Sequence, residues 1–247
     1  MADVSCEMTE YKDVIYTAIC HLTSLISLMQ ETKAFLFDLN GTMIDDMDFH
    51  IKAWYTILND LGAGISMAKV KEECYGKNDE LLERVFPGRF SDEEKIKMSY
   101  TKEAAYQQAF RPSLQLLKGL DDFLAKASQQ NIPMAIGSAA ILYNIDFVLD
   151  GLAIRHYFPT VVAAENVRIS KPDPETYLIC ADEIGVPYKN CVVFEDAPKG
   201  VEAAQNAGMP CVVLTTMHTK EEFSKYTNIV CFVNDYTDSQ LNVLFSE

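Results

Sequence analysis

The sequence predicts an α/β fold: a parallel sheet with helices on both faces, a three-layer α/β/α core, and a helical cap inserted behind its first strand. Three observations carry this. Five short apolar runs recur along the chain, and helical segments separate most of them. Wholly apolar strands alternating with helices mark a parallel sheet buried on both faces. The 94 residues between Asp38 and Pro133 carry helical patterns and no convincing strand. A chain of 247 residues is long enough for one such core with an insert.

The elements follow in order. Residues 14–29 place Ile15, Ile19, Leu22, Ile26 and Met29 on one helical face. Two readings stand for residues 1–28: a packed N-terminal helical extension, or an upstream stretch that the native protein lacks. The strands are expected at Ala34–Asp38, Pro133–Gly137, Thr160–Ala164, Cys191–Phe194 and Pro210–Leu214, with Val230–Val233 as an edge. Helices are expected at Leu120–Gln129, Pro174–Ile184 and Gly200–Ala207 in the core, and at Met47–Leu61, Asp79–Val85 and Asp92–Phe110 in the cap. The core domain then comprises 29–46 and 116–247, and the cap 47–115.

Charge narrows the function. Lys and Arg number 21 against 36 Asp and Glu, a net charge of −15, which argues against nucleic acid as a partner. A small phosphorylated ligand stays open, because a local pocket or metal can reverse the field. The seven cysteines form no C-x-x-C pair, and several sit in apolar runs, as buried thiols of a reducing compartment do. The first turn is acidic, unlike a signal peptide, and the apolar stretch after it is too short to span a bilayer. The expectation is a cytoplasmic protein with no membrane partner.

Ligands of open parallel sheets bind beyond the carboxyl ends of the strands. Here those ends read Asp38-Leu39-Asn40-Gly41-Thr42, Gly137-Ser138-Ala139, Ser170-Lys171-Pro172-Asp173 and Phe194-Glu195-Asp196. Asp38 with Glu195 and Asp196 would crowd negative charge into one cleft, which is costly unless a cation sits there. Carboxylates, a backbone carbonyl and water suit Mg²⁺. Ser138, Lys171 and the amides around Gly41 and Thr42 would supply donors and positive charge for a phosphoryl group. A carboxylate can then attack phosphorus and form an aspartyl-phosphate.

These motifs resemble the haloacid dehalogenase-like superfamily: D-x-D-G-T/V at Asp38–Thr42, Ser138, Lys171 in Ser-Lys-Pro-Asp-Pro-Glu, and Phe194-Glu195-Asp196-Ala197-Pro198-Lys199-Gly200. The resemblance spans about Lys33 to Leu214. Asp45, His50, Ala53-Trp54 and the cap loop Tyr75-Gly76-Lys77-Asn78 are similar to the β-phosphoglucomutase-like group. The resemblance implies a Rossmann-like core and Mg²⁺-dependent phosphoryl transfer on a small sugar phosphate, as mutase or phosphatase. By it Asp38 is the nucleophile and a metal ligand, residue 40 gives its carbonyl to the metal, and Asp196 completes the ligands with Glu195 nearby. Ser138 and Lys171 hold the phosphoryl, and a monomer follows by analogy.

Two departures stand out. Asn40 replaces the second acid of the first motif, the group's general acid/base, whose loss typically costs roughly 10²–10⁴ in rate. Asn40 is an introduced substitution, a natural residue whose role passes to Asp46, Asp45 or His50, or the mark of a catalytically weak phosphometabolite-binding protein. Asp46 is a candidate carboxylate at the cap hinge or a helix cap; His50 is a proton shuttle or a residue of the cap interface. Second, Ala140 and Ile141 stand where the mutase pattern has Ser and Lys, with Asn144 and cap Lys77 as substitutes for seating substrate. Ala139 belongs with Ser138 on the phosphate side. A minor alternative is phosphonate or C–halogen cleavage, with Lys77 as a Schiff-base lysine.

Overall fold

The computed structural model describes residues 34–245. The expectations for residues 1–28 lie outside the described residues. Six parallel strands form one sheet: β1 (Ala34–Phe37), β2 (Met134–Gly137), β3 (Thr160–Val162), β4 (Cys191–Glu195), β5 (Cys211–Leu214) and β6 (Ile229–Val233). Their spatial order is β3-β2-β1-β4-β5-β6. The chain winds one way from β1 to β3 and the other way from β4 to β6. The reversal therefore lies between β1 and β4, where a crevice opens at the strand ends. Phe35 pairs with Met134 on one side and Val192 on the other, so β1 is central.

The β3 strand ends earlier than the apolar run suggests. The Ala163 amide donates to the Asn166 side chain at 2.8 Å, and Ala164–Asn166 turns as a short 3₁₀ segment. That local bond competes with the ladder. At the other edge β6 pairs in parallel with β5, with an irregularity at Cys211/Val212.

Helices α1 (Met47–Asp60), α2 (Met67–Glu73), α3 (Asn78–Val85) and α4 (Asp92–Phe110) fill the insert. Ser91 and Glu94 close a reciprocal capping box that starts α4, and Ser66 caps α2. Ile51, Trp54, Leu58, Val70, Leu81, Leu82 and Phe86 bury against one another as a separate apolar cluster. The core helices are α5 (Leu120–Gln129), α6 (Leu142–Gly151), α7 (Glu175–Ile184) and α8 (Pro198–Asn206).

Two apolar clusters occupy the two faces of the sheet. Phe35, Phe37, Phe123, Phe194 and Phe245 dominate one, with Phe37 and Phe194 stacked at 4.6 Å. Smaller residues such as Ala135, Cys180, Val193 and Ala204 fill the other. Burying a side chain of Phe size contributes about 1.5–3 kcal/mol. The aromatic face therefore anchors β1 and β4, the strands that present the site. Among the described residues, no helix is long and apolar enough to cross a membrane.

Candidate active site

Four strand ends converge on one buried charged cluster. The Asp38 amide donates to the Phe194 carbonyl at 3.0 Å, so the ladder between β1 and β4 runs into the site. Lys171 Nζ donates to Asp38 Oδ1 at 2.6 Å and to Glu195 Oε1 at 2.7 Å. Glu195 Oε1 also accepts from the Tyr177 hydroxyl at 2.8 Å, and its Oε2 accepts from the Asp196 and Ala197 amides. Both Glu195 oxygens are thus engaged, and the residue anchors Lys171 more than it faces the cleft. One oxygen each from Asp38, Glu195 and Asp196 lie within 4.8 Å of one another.

The first-motif loop is pinned to this cluster. Gly41 has φ +75°, and a Cβ there would stand 2.1 Å from Asp196 Oδ2, so only glycine fits. Thr42 Oγ1 donates to Asp196 Oδ1 at 3.3 Å. The Gly41 amide is spent on the Ile44 carbonyl at 2.8 Å and Asp46 Oδ1 at 3.2 Å. Gly41 and Thr42 therefore shape the loop and hold Asp196, and the Gly41 N–H expected on a phosphoryl group points elsewhere.

Above the cluster lies a cavity of about 630 Å³ between core and insert. Asp38, Asn40, Ser138, Ala139, Lys171 and Asp196 line its floor, and His50, Trp54, Asn78, Lys102 and Glu103 its other walls. Ser138 is buried and accepts the Ala140 amide at 3.2 Å, which leaves its hydroxyl hydrogen to donate.

Two sequence candidates fall away from the cavity. Lys77 Nζ donates to the Val167 and Arg168 carbonyls at 3.3 and 3.2 Å, bolting the insert to the core. Asn144 is fully buried, with its Oδ1 accepting from Gln107 at 3.3 Å. Neither is among the residues lining the cavity. Asp45 is exposed, so only the second of the two hinge acids reaches inward.

That acid, Asp46, precedes α1 but does not cap it with its side chain. It turns into the molecule, fully buried, where Asn40 Nδ2 donates to its Oδ2 at 2.6 Å and Tyr106 Oη at 2.5 Å. His50 Nε2 lies 3.2 Å from the same oxygen. His50 stacks on Tyr106 at 3.8 Å between ring centroids, and its Nδ1 meets Lys102 Nζ at 2.5 Å. Lys102 also donates to Glu103 Oε1 at 2.8 Å, which Asn78 shares at 2.9 Å. Sequence reading passed over Lys102, Glu103, Tyr106 and Tyr177. The helix-spaced pair Lys102 and Tyr106, on the turn that faces the hinge, was the available signal.

The carboxyls divide by environment. Burial pushes Asp38 up to about 7, against the pull of Lys171 and with the push of Glu195. Burial, Glu195 and Asp38 also hold Asp196 well above the usual carboxylate range. Asp46 is as buried, yet hydrogen bonds from His50, Tyr106 and Asn40 outweigh burial and hold it below that range. Lys171 keeps its proton more tightly than usual: burial works against the charge, but Asp38 and Glu195 outweigh it.

Comparison with known proteins agrees with this architecture. The haloacid dehalogenase-like hydrolase family matches residues 35–214. Fructose-1-phosphate phosphatase YqaB of Escherichia coli (strain K12) is 32% identical over 177 residues, 72% of this chain and 93% of the relative. The β-phosphoglucomutase of Bacillus subtilis (strain 168) is 29% identical over 185 residues, 72% of this chain and 80% of the relative. Among solved structures, a β-phosphoglucomutase from Clostridium difficile superposes with a TM-score of 0.72 at 28% identity, covering 83% of this chain and 92% of that one. The match takes in β1 through β5 and the site residues they carry, and the chain belongs to the haloacid dehalogenase-like hydrolases, as an enzyme of their phosphatase and phosphomutase type.

Proposed function

We propose that this protein is a Mg²⁺-dependent phosphatase of small sugar phosphates that works through an aspartyl-phosphate at Asp38. The observation that carries the reading is the buried cluster of three carboxylates around one ammonium, on the floor of a cavity of about 630 Å³. Three acids against one lysine leave the buried site short of positive charge, and burial already lifts Asp38 and Asp196. That donor set of hard oxygens fits Mg²⁺. Asp38, Asp196 and the backbone carbonyl of Asn40 would hold it, with Glu195 at the margin. When bound, the ion neutralises charge on the carboxylates and on the phosphoryl oxygens.

The chain's own residues then divide the work. Lys171 orients the Asp38 carboxylate and, with the Ser138 hydroxyl and the backbone at Ala139, offers donors to the phosphoryl oxygens. Asp38 attacks phosphorus, and the bond to the substrate oxygen breaks. His50, Lys102 and Glu103 close the cavity from the cap side. Excluding bulk water there strengthens every polar contact within.

Hydrolysis is favoured over mutase chemistry because the positions expected to seat a second phosphate are not available for it. Lys77 is tied to two core carbonyls, and Ala140 and Ile141 offer no side-chain donor. The same bonds of Lys77 remove support for a Schiff-base phosphonate route. Asn40 favours one second reading, a phosphometabolite-binding protein with little turnover. Phosphate release from a panel of sugar monophosphates with Mg²⁺, beside an Asp38→Ala variant, separates the two. Release that falls to background in the variant supports the phosphatase; no release by the parent from any member of the panel favours the binding protein.

A further inference from the structure

Asn40 and Asp46 interlock. Asn40 Nδ2 donates to Asp46 Oδ2 at 2.6 Å. Asp46 Oδ2 takes the Tyr106 hydroxyl as well, its Oδ1 takes the Gly41 amide at 3.2 Å, and His50 Nε2 stands 3.2 Å from Oδ2. With hydrogen-bond partners on both oxygens, the Asp46 side chain has little room to turn. The Asn40 nitrogen therefore faces inward. Among the described residues its Oδ1 takes no hydrogen bond, and Asn40 lines the cavity.

The geometry points to Asp46 as a positioning residue that holds Asn40 as a hydrogen-bond acceptor with no proton to give, and so to substrates whose leaving oxygen departs without one. This inference rests on the reading of Asp38 as nucleophile. In the first step an Asp38 oxygen bonds to phosphorus while the bond from phosphorus to the substrate oxygen breaks. The electron pair leaves with that oxygen, which takes its proton from water. In the second step water attacks the same phosphorus, the Asp38–phosphorus bond breaks, and the water proton passes to the released phosphate. Asn40 Oδ1 orients the water in this step and accepts no proton. Weakly basic leaving groups suit such a site, which among sugar phosphates means esters of the more acidic anomeric hydroxyl, with an aryl phosphate as a probe; primary alkoxides do not. An acid at position 40 conflicts with Asp46, since two carboxylates would then meet at hydrogen-bond distance.

The test is a cycle of four proteins: the parent, Asn40→Asp, Asp46→Asn, and both together. The readout is the ratio of kcat/KM for p-nitrophenyl phosphate to that for glucose 6-phosphate, with melting temperatures alongside. The parent should show a large ratio. Asp46→Asn alone should lower kcat with KM little changed. Asn40→Asp alone should melt lower than the parent, and adding Asp46→Asn should restore the melting temperature. The double variant should narrow the ratio by roughly 10²-fold, the scale of a recovered general acid. Additive melting shifts, or a ratio equal in parent and double variant, would overturn the inference. Turnover that survives Asp38→Ala would instead overturn the nucleophile reading, and the melting cycle would still decide the Asn40–Asp46 pair.

Discussion

Two buried charged clusters adjoin the cavity, and they are balanced in opposite ways. On the core side, Asp38 and Glu195 share one ammonium, Lys171, with Asp196 beside them, and burial raises Asp38 and Asp196. On the hinge side, Asp46 collects hydrogen bonds from Asn40, Tyr106 and Gly41 with His50 alongside, and its carboxyl is lowered. Equal burial thus gives opposite results, and the count of donors decides the sign. On the proposed reading, the cluster short of positive charge receives the cation and the phosphoryl group. The satisfied cluster joins hinge to cap and sets what position 40 can do.

Breaking the core cluster gives the largest effects. Asp38→Ala should abolish phosphate release while the protein still folds, checked by circular dichroism and a steady-state assay. Lys171→Met leaves the Asp38 and Glu195 carboxylates facing each other in a buried site. Removing one partner of a buried pair costs about 3–5 kcal/mol, so denaturant unfolding without Mg²⁺ should show a loss of that order.

The next effect is a pH dependence that the hinge cluster should not share. The Asp38 carboxyl is raised from 3.8 to about 7 in the folded protein. Below 3.8 both folded and unfolded chains hold the proton; above it the unfolded chain releases it first. Stability of the metal-free protein should therefore fall as pH rises from about 4 to 7, then level off. Mg²⁺ binds the deprotonated form, so its stabilisation should grow across the same window. At a hundredfold excess over Kd it amounts to about 2.7 kcal/mol. Melting curves with and without Mg²⁺ at pH 5 and pH 8 check this, with the larger difference at pH 8. Asp46 is lowered, so its contribution is already complete above 3.8 and falls away only in more acidic solution.

Smaller effects sharpen the contrast. Tyr177→Phe removes one of the donors on Glu195 Oε1 and should cost about 1 kcal/mol. Lys77→Ala should leave KM for any monophosphate substrate unchanged within error. It should loosen the attachment of the cap, read as faster amide exchange around residues 75–80.

The core was legible because its signals are local. The strands at Ala34, Pro133 and Cys191 announce themselves as apolar runs, and Asp38, Ser138 and Glu195 follow them directly. Gly41 is readable for the same reason, since its motif position demands a backbone that other residues resist. The hinge cluster was only half legible. Asn40 showed as a missing acid, and Asp46 and His50 as polar residues near the hinge. Lys102 and Glu103, by contrast, sit in a helix rich in Lys and Glu, where such residues usually face water. Only the packing of α4 against the hinge buries them. Lys77 is the converse case: the partners that hold it outside the cavity lining, the carbonyls of Val167 and Arg168, lie some 90 residues away.

The central claim, that Asp38 carries the phosphoryl group, is tested most directly by intact mass and peptide mapping after acid quench with p-nitrophenyl phosphate and Mg²⁺. The expected result is one phosphoryl adduct, lost to hydroxylamine, on the peptide containing Asp38 and absent from Asp38→Asn. Phosphate release without any adduct, continuing undiminished in Asp38→Asn, would contradict it.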